Sequence, residues 1–167
     1  MGLFIGNKYL EICVDSEDGR LTSLKNRITG DDYLKLDLRS PLYKLSCISL
    51  SSGEKVEVVP DRVISVEEII GDKDTIGEST RSLVVKFKSA LAGEAEPVRI
   101  HASVRMEVRE DDAETLWFLE LTNSDERYLI VEILFPCFRG VYLGESWQDD
   151  IMIYPHHAGE KTLAPVR

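Results

Sequence analysis

The residues best typed for chemistry lie close together, in GESWQDDIMIYPHHAGEK at positions 144–161. An exposed Trp147 can stack on the C–H face of a sugar ring, while Gln148, Asp149 and Asp150 beside it take the ring's hydroxyls. His156 and His157 with Glu160 are typed for a metal. However, neighbouring side chains on an extended chain point apart, and the HExxH spacing that brings two histidines to one helical face is absent. The site expected here is therefore for carbohydrate, formed by Trp147, Asp149, Asp150, His156 and His157, with no metal; an ordinary surface loop, with Trp147 folded back as a plug, is the plain alternative. His101 is a second candidate. It alternates outward on a long strand-like run, where a sugar-epimerising acid would need a carboxylate base in the same cleft. The paired acids Asp31–Asp32, Glu67–Glu68, Asp111–Asp112 and Asp149–Asp150 fall in or beside turns and read as solvated. No GxSxG, phosphate loop or dinucleotide fingerprint is present, so no cofactor and no catalytic residue is assigned.

Composition narrows the partners. The 167 residues carry 20 basic and 30 acidic side chains, a net charge of −10. Nucleic acid and anionic membrane surfaces call for basic patches, and no run of four Lys/Arg occurs. No apolar stretch approaches the length of a membrane span. Cys13, Cys47 and Cys137 are odd in number and lack metal spacing, which suits thiols in a reducing compartment; one disulfide plus a free thiol is the alternative. The N-terminus has no basic region and no cleavage site of a signal peptide, so the cytoplasm is expected.

Period-2 alternation must position these residues. Leu10, Ile12 and Val14 face one way, with Tyr9, Glu11 and Cys13 opposite. Ile100, Ala102, Val104, Met106 and Val108 alternate with Arg99, His101, Ser103, Arg105, Glu107 and Arg109 in a strand at 98–109. Turn signals recur every 8 to 12 residues: DSEDG at 15–19, TGDD at 29–32, SSGE at 51–54, GDKDTIGEST at 71–80. Pro60 divides one short strand from another. The most hydrophobic run, 128–135, reads as a central strand buried on both faces, and Trp117 as core. Residues 66–70, VEEII, are the nearest approach to a helix, but β-branched neighbours argue for strand. The pattern predicts an all-β, antiparallel β-sandwich of about ten strands over residues 1–140. Residues 141–167 form an extended segment with no further strand.

LEICVDSEDGRLTSLKNRITGDDYL resembles the opening of the β-sandwich domain that precedes the catalytic barrel in many bacterial glycoside hydrolases. The residues that carry the likeness are Gly19, Leu21, Ser23, Leu24 and Asn26, then Thr29, Gly30, Tyr33 and Leu34. Ile133-Leu134-Phe135-Pro136 and the stretch 149–155 resemble that domain's exit. The resemblance implies a supersandwich fold like that of galactose mutarotase. It also implies a supporting, non-catalytic role beside a barrel reached through 141–167. The expected partners are then carbohydrate and the rest of the polypeptide, with a homo-oligomer as another home for the tail. Two other roles stand beside it. A free-standing carbohydrate-binding module would show an aromatic platform; a small mutarotase-like enzyme would show His101 facing a carboxylate. The supporting domain would show an exposed apolar patch near the C-terminus.

Overall fold

The computed structural model describes residues 2–34, 41–71, 79–93 and 96–142, and the backbone of 151–154 and 160–163. The described chain is all-β. A three-stranded antiparallel sheet holds β1 (Gly2–Gly6), β2 (Leu10–Asp15) and β3 (Leu21–Asn26) in that order. A six-stranded antiparallel sheet holds β4 (Lys44–Ser49), β5 (Lys55–Ile70), β6 (Thr80–Leu91), β7 (Pro97–Arg109), β8 (Thr115–Asn123) and β9 (Tyr128–Leu134), in the order β8-β7-β6-β5-β4-β9. A separate hairpin pairs β10 (Ile151–Tyr154) with β11 (Glu160–Leu163). No helix long and apolar enough to cross a membrane occurs among the described residues.

The alternation read from the sequence becomes the core. Ile12 and Val14 of β2, with Ile5 and Leu21, bury against Leu83, Val85 and Phe87 of β6 and the even-numbered residues 98–108 of β7. The two layers are also stitched at their rims. Asn7 Nδ2 donates to the carbonyls of Arg109 (2.5 Å) and Asp112 (2.6 Å), and Val63 N donates to Glu17 O at 2.7 Å. Asn26 Oδ1 accepts from Ile28 N at 2.9 Å and Thr29 N at 3.2 Å, the turn-capping role its position suggests.

One buried polar pair lies inside this core. Tyr43 and Ser89 are both buried and share a 2.9 Å hydrogen bond between their hydroxyls. Burial pushes the Tyr43 phenol up from 10.0 to about 12. The unfolded chain therefore releases this proton first, and the stability it confers is present below pH 10 and lost as pH rises towards 12. Tyr43→Phe is expected to cost about 1 kcal/mol at neutral pH, since Ser89 loses its partner. The cost should shrink between pH 10 and 12 in denaturant titrations. A cost that stays level across that range would show that the buried phenol does not set the alkaline limb.

The large sheet is curled. Six flat strands would separate β8 from β9 by about 24 Å. Five Cα steps from Asn123 to Tyr128 reach at most about 19 Å. Asn123 Nδ2 in fact donates to Tyr128 O at 2.9 Å. The two outermost strands therefore meet at this corner, although no ladder joins them among the described residues. Bulges at 60–62 and 63–65 of β5 and after Lys88 of β6 provide the bend. After β9 the chain crosses the open side. Cys137 N donates to Leu42 O at 2.8 Å, and Phe138 meets Trp117 of β8 edge-to-face at 5.2 Å.

Several expectations are corrected. Residues 128–135 do not form a central strand: β9 is an edge strand, because apolar residues on both faces are as compatible with an uncovered edge as with a buried centre. Trp117 does pack against the core, but it is only half-buried, at the rim, where Phe138 covers one side of it. Pro60 does not divide two strands. It lies within β5, paired to Ser89, with the bulge taking up the missing donor. The segment 141–167 is not free of strands, since it contains the β10–β11 hairpin. β1 was hidden by its two terminal glycines, which dilute the apolar pattern of Leu3, Phe4 and Ile5.

Candidate functional site

Trp147, Asp149, Asp150, His156 and His157 lie outside the described residues. What the structure brings together instead is an exposed apolar edge built on β9. Its sequence, YLIVEIL, has no proline or lysine, the residues that usually blunt an edge. β4 is its one ladder partner among the described residues, from Ser49↔Tyr128 to Lys44↔Leu134, with a bulge between Ser46 and Cys47. Leu129, Val131, Ile133 and Leu134 are 55%, 51%, 53% and 56% exposed. Single exposed apolar residues are normal, but four within one edge strand make an apolar stripe that wraps both of its faces, Leu129 and Leu134 on the outer side and Ile133 on the other. Ile133 pairs with buried Leu45, so it stands on the core-facing side of the sheet. Its exposure means that the second layer stops short of this corner.

The one charge on β9 is turned inward along its own sheet. Glu132 accepts from Lys55 Nζ at 3.2 Å and Ser46 Oγ at 3.0 Å. Those bonds, Lys55 first, hold its carboxyl below the ordinary carboxylate value. The one carboxylate on the strand is thus paired with a lysine of the same sheet.

Asp125 fixes where the stripe begins. It is buried, and its carboxylate accepts from Arg127 Nε and Nη2, both at 2.9 Å, and from Arg99 N at 2.9 Å. Arg127 also bridges to Glu96 at 2.7 Å. These bonds pin residues 124–127 against the end of β7 and so aim β9 across to β4.

The cysteines do not contribute to the stripe as a reactive group. All three are free, and burial pushes each thiol above its ordinary value. Among the described residues no group of three or more His, Cys, Asp or Glu could hold a metal.

His101 stands exposed on the outer face of the six-stranded sheet, opposite Lys88 and Thr122. Glu120 is one rung away on β8, and both residues line a shallow depression of about 230 Å³. The pair shares an open surface, and its two side chains are exposed to water. An aromatic platform is not assembled there: Phe118 carries the Arg105 guanidinium 4.0 Å above its ring. Sequence reasoning missed the β9 stripe because it placed the run inside the sheet, and an apolar run without Lys or Pro carries no local mark of an edge. No family model, no curated protein and no solved structure matches this chain.

Proposed function

We propose that this chain is a supporting, non-catalytic β-sandwich domain of a carbohydrate-active enzyme, and that the β9 edge seats a catalytic barrel. The observation that carries the reading is the stripe of Leu129, Val131, Ile133 and Leu134 on a strand whose one charge, Glu132, is paired with Lys55 and hydrogen-bonded by Ser46. Such a surface gains by leaving water, and among the described residues no second ladder occupies the outer backbone edge of β9. The resemblance of 10–34 to the opening of glycoside-hydrolase sandwich domains supplies the class of partner, and the supersandwich fold is proposed on the same ground.

The test begins with the reading frame past Arg167. We expect it to continue into a βα-repeat, and the barrel expressed from it to bind the 167-residue chain. Val131→Lys and Ile133→Lys should each weaken that binding about tenfold or more in calorimetry, as losses at the centre of an interface do. If the frame ends at Arg167, or if the barrel binds both variants as tightly as the parent, the reading is wrong.

A further inference from the structure

We propose that the outer face of the six-stranded sheet binds an acidic glycan through a cross-strand row of Arg62, Lys88 and His101. The inference rests on the carbohydrate-active reading above, but on a different surface. The register places Arg62 of β5 opposite Lys88 of β6, Lys88 opposite His101 of β7, and His101 opposite Thr122 of β8. The next rung holds Ser65, Lys86, Ser103 and Glu120 in the same order.

Side chains directly opposite in antiparallel strands have Cβ atoms about 5 Å apart, and like charges so placed destabilise the sheet. Arg62, Lys86 and Lys88 are exposed and make no ion pair among the described residues. Four other cations of this sheet are matched, Lys44 with Glu57, Lys55 with Glu132, Arg81 with Glu68 and Arg105 with Glu107, whereas Arg99 and Arg109 of β7 also make no ion pair among the described residues but stand apart from one another. With 30 acidic residues against 20 basic, the chain has no shortage of carboxylates. Arg62 directly opposite Lys88, with Lys86 on the next rung, left open in so acidic a protein, points to an anion supplied from outside.

The surroundings of the row select the kind of anion. Ser65, Ser103 and Thr122 offer hydroxyls, Glu120 can accept from sugar hydroxyls, and exposed Ile64 beside them suits the C–H face of a ring. Nucleic acid fits poorly, because Phe118, the aromatic ring nearest the row on this face among the described residues, is capped by Arg105 and leaves no face for a base to stack on. The shared chemistry is a carboxylated or sulfated saccharide long enough to cross three strands.

The experiment is calorimetry of the 167-residue chain with a hexagalacturonate, a sulfated hexasaccharide, neutral maltohexaose and a single-stranded DNA oligonucleotide. We expect binding to one or both acidic saccharides, carboxylated or sulfated according to which binds, and none to maltohexaose. Lys88→Gln with Arg62→Gln should weaken that binding about tenfold or more. The same double variant should raise the melting temperature of the free chain, because it removes the repulsion; that result also shows the variant to be folded. No binding to either acidic saccharide, equal binding of the DNA, or binding unchanged in the variant each overturns the proposal. Loss of glycan binding with barrel docking across β9 intact defeats this site alone, and the converse defeats the docking reading alone.

Discussion

Gly19→Ala should remove about 3–5 kcal/mol of stability, a large share of what a domain of this size possesses. Gly19 closes the turn between β2 and β3 at φ 69°, a conformation that residues with a Cβ adopt only under strain. The steric demand is larger still. A Cβ at this position would lie 2.2 Å from Phe87 Cε1, 2.6 Å from Cζ and 3.2 Å from Val63 Cγ2. The Phe87 ring is itself fully buried and stands edge-on to Tyr43 at 5.8 Å, so it has no room to retreat. Either the ring leaves its place or the turn lifts off the large sheet, taking the bond from Val63 N to Glu17 O with it. Gly30→Ala is the control. Gly30 has φ 84° but nothing within 4 Å of the added carbon, so only backbone strain of about 1 kcal/mol is expected. Urea midpoints at equal slope measure both. Equal losses at the two glycines would show that the contact with Phe87 does not matter.

Asp125→Asn should cost about 2 kcal/mol near neutral pH. The figure lies below the usual range for breaking a buried charge pair, because the Arg127 guanidinium is half exposed and can return to water. The amide keeps an acceptor for Arg99 N but loses the paired contact to Nε and Nη2. The Arg127 hydrogen bonds, then those from Arg99 N and Arg127 N, hold the Asp125 carboxyl well below its ordinary 3.8. The stability it contributes is therefore present above that value and lost as pH falls from about 4 towards the lower folded value. Stability of the parent should decline through this acid window more steeply than that of the variant, and the two should converge at its lower end. Parallel curves would mean that Asp125 is not the group responsible. Because Asp125 also sets the start of β9, the variant is expected to bind a docked barrel more weakly as well.

The parts of the fold legible in the sequence were those that strict alternation specifies. β7 could be read residue by residue because one of its faces is core and the other solvent. The turn at 15–19 and the cap by Asn26 followed from Gly, Asp and Asn chemistry. Position within a sheet was not legible. YLIVEIL is apolar on both faces, and nothing local distinguishes a strand covered by two layers from an edge left bare. The charged row was half legible: alternation puts Lys86, Lys88 and His101 on outward faces, yet Arg62 joins them only through a register that two bulges shift. Pro60 misled for the same reason, since a bulge lets a long strand accept a proline that a regular one would refuse.

The curl of the six-stranded sheet has a kinetic consequence. From β4 to β8 each strand pairs with the next in the chain, so these ladders can zip in sequence as short hairpins. Among the described strands the β4–β9 ladder is the one that joins distant segments; Ser46 and Glu132, bonded across it, are eighty-six residues apart. Closing so long a loop has a large entropic cost until the intervening hairpins have drawn the ends together. Bending at the β5 and β6 bulges does that drawing, by bringing the end of β8 to the place where β9 must begin. Seating of β9 is then a late event in folding, and side chains such as Ile130 that hold it should govern how fast the native state opens more than how fast it forms.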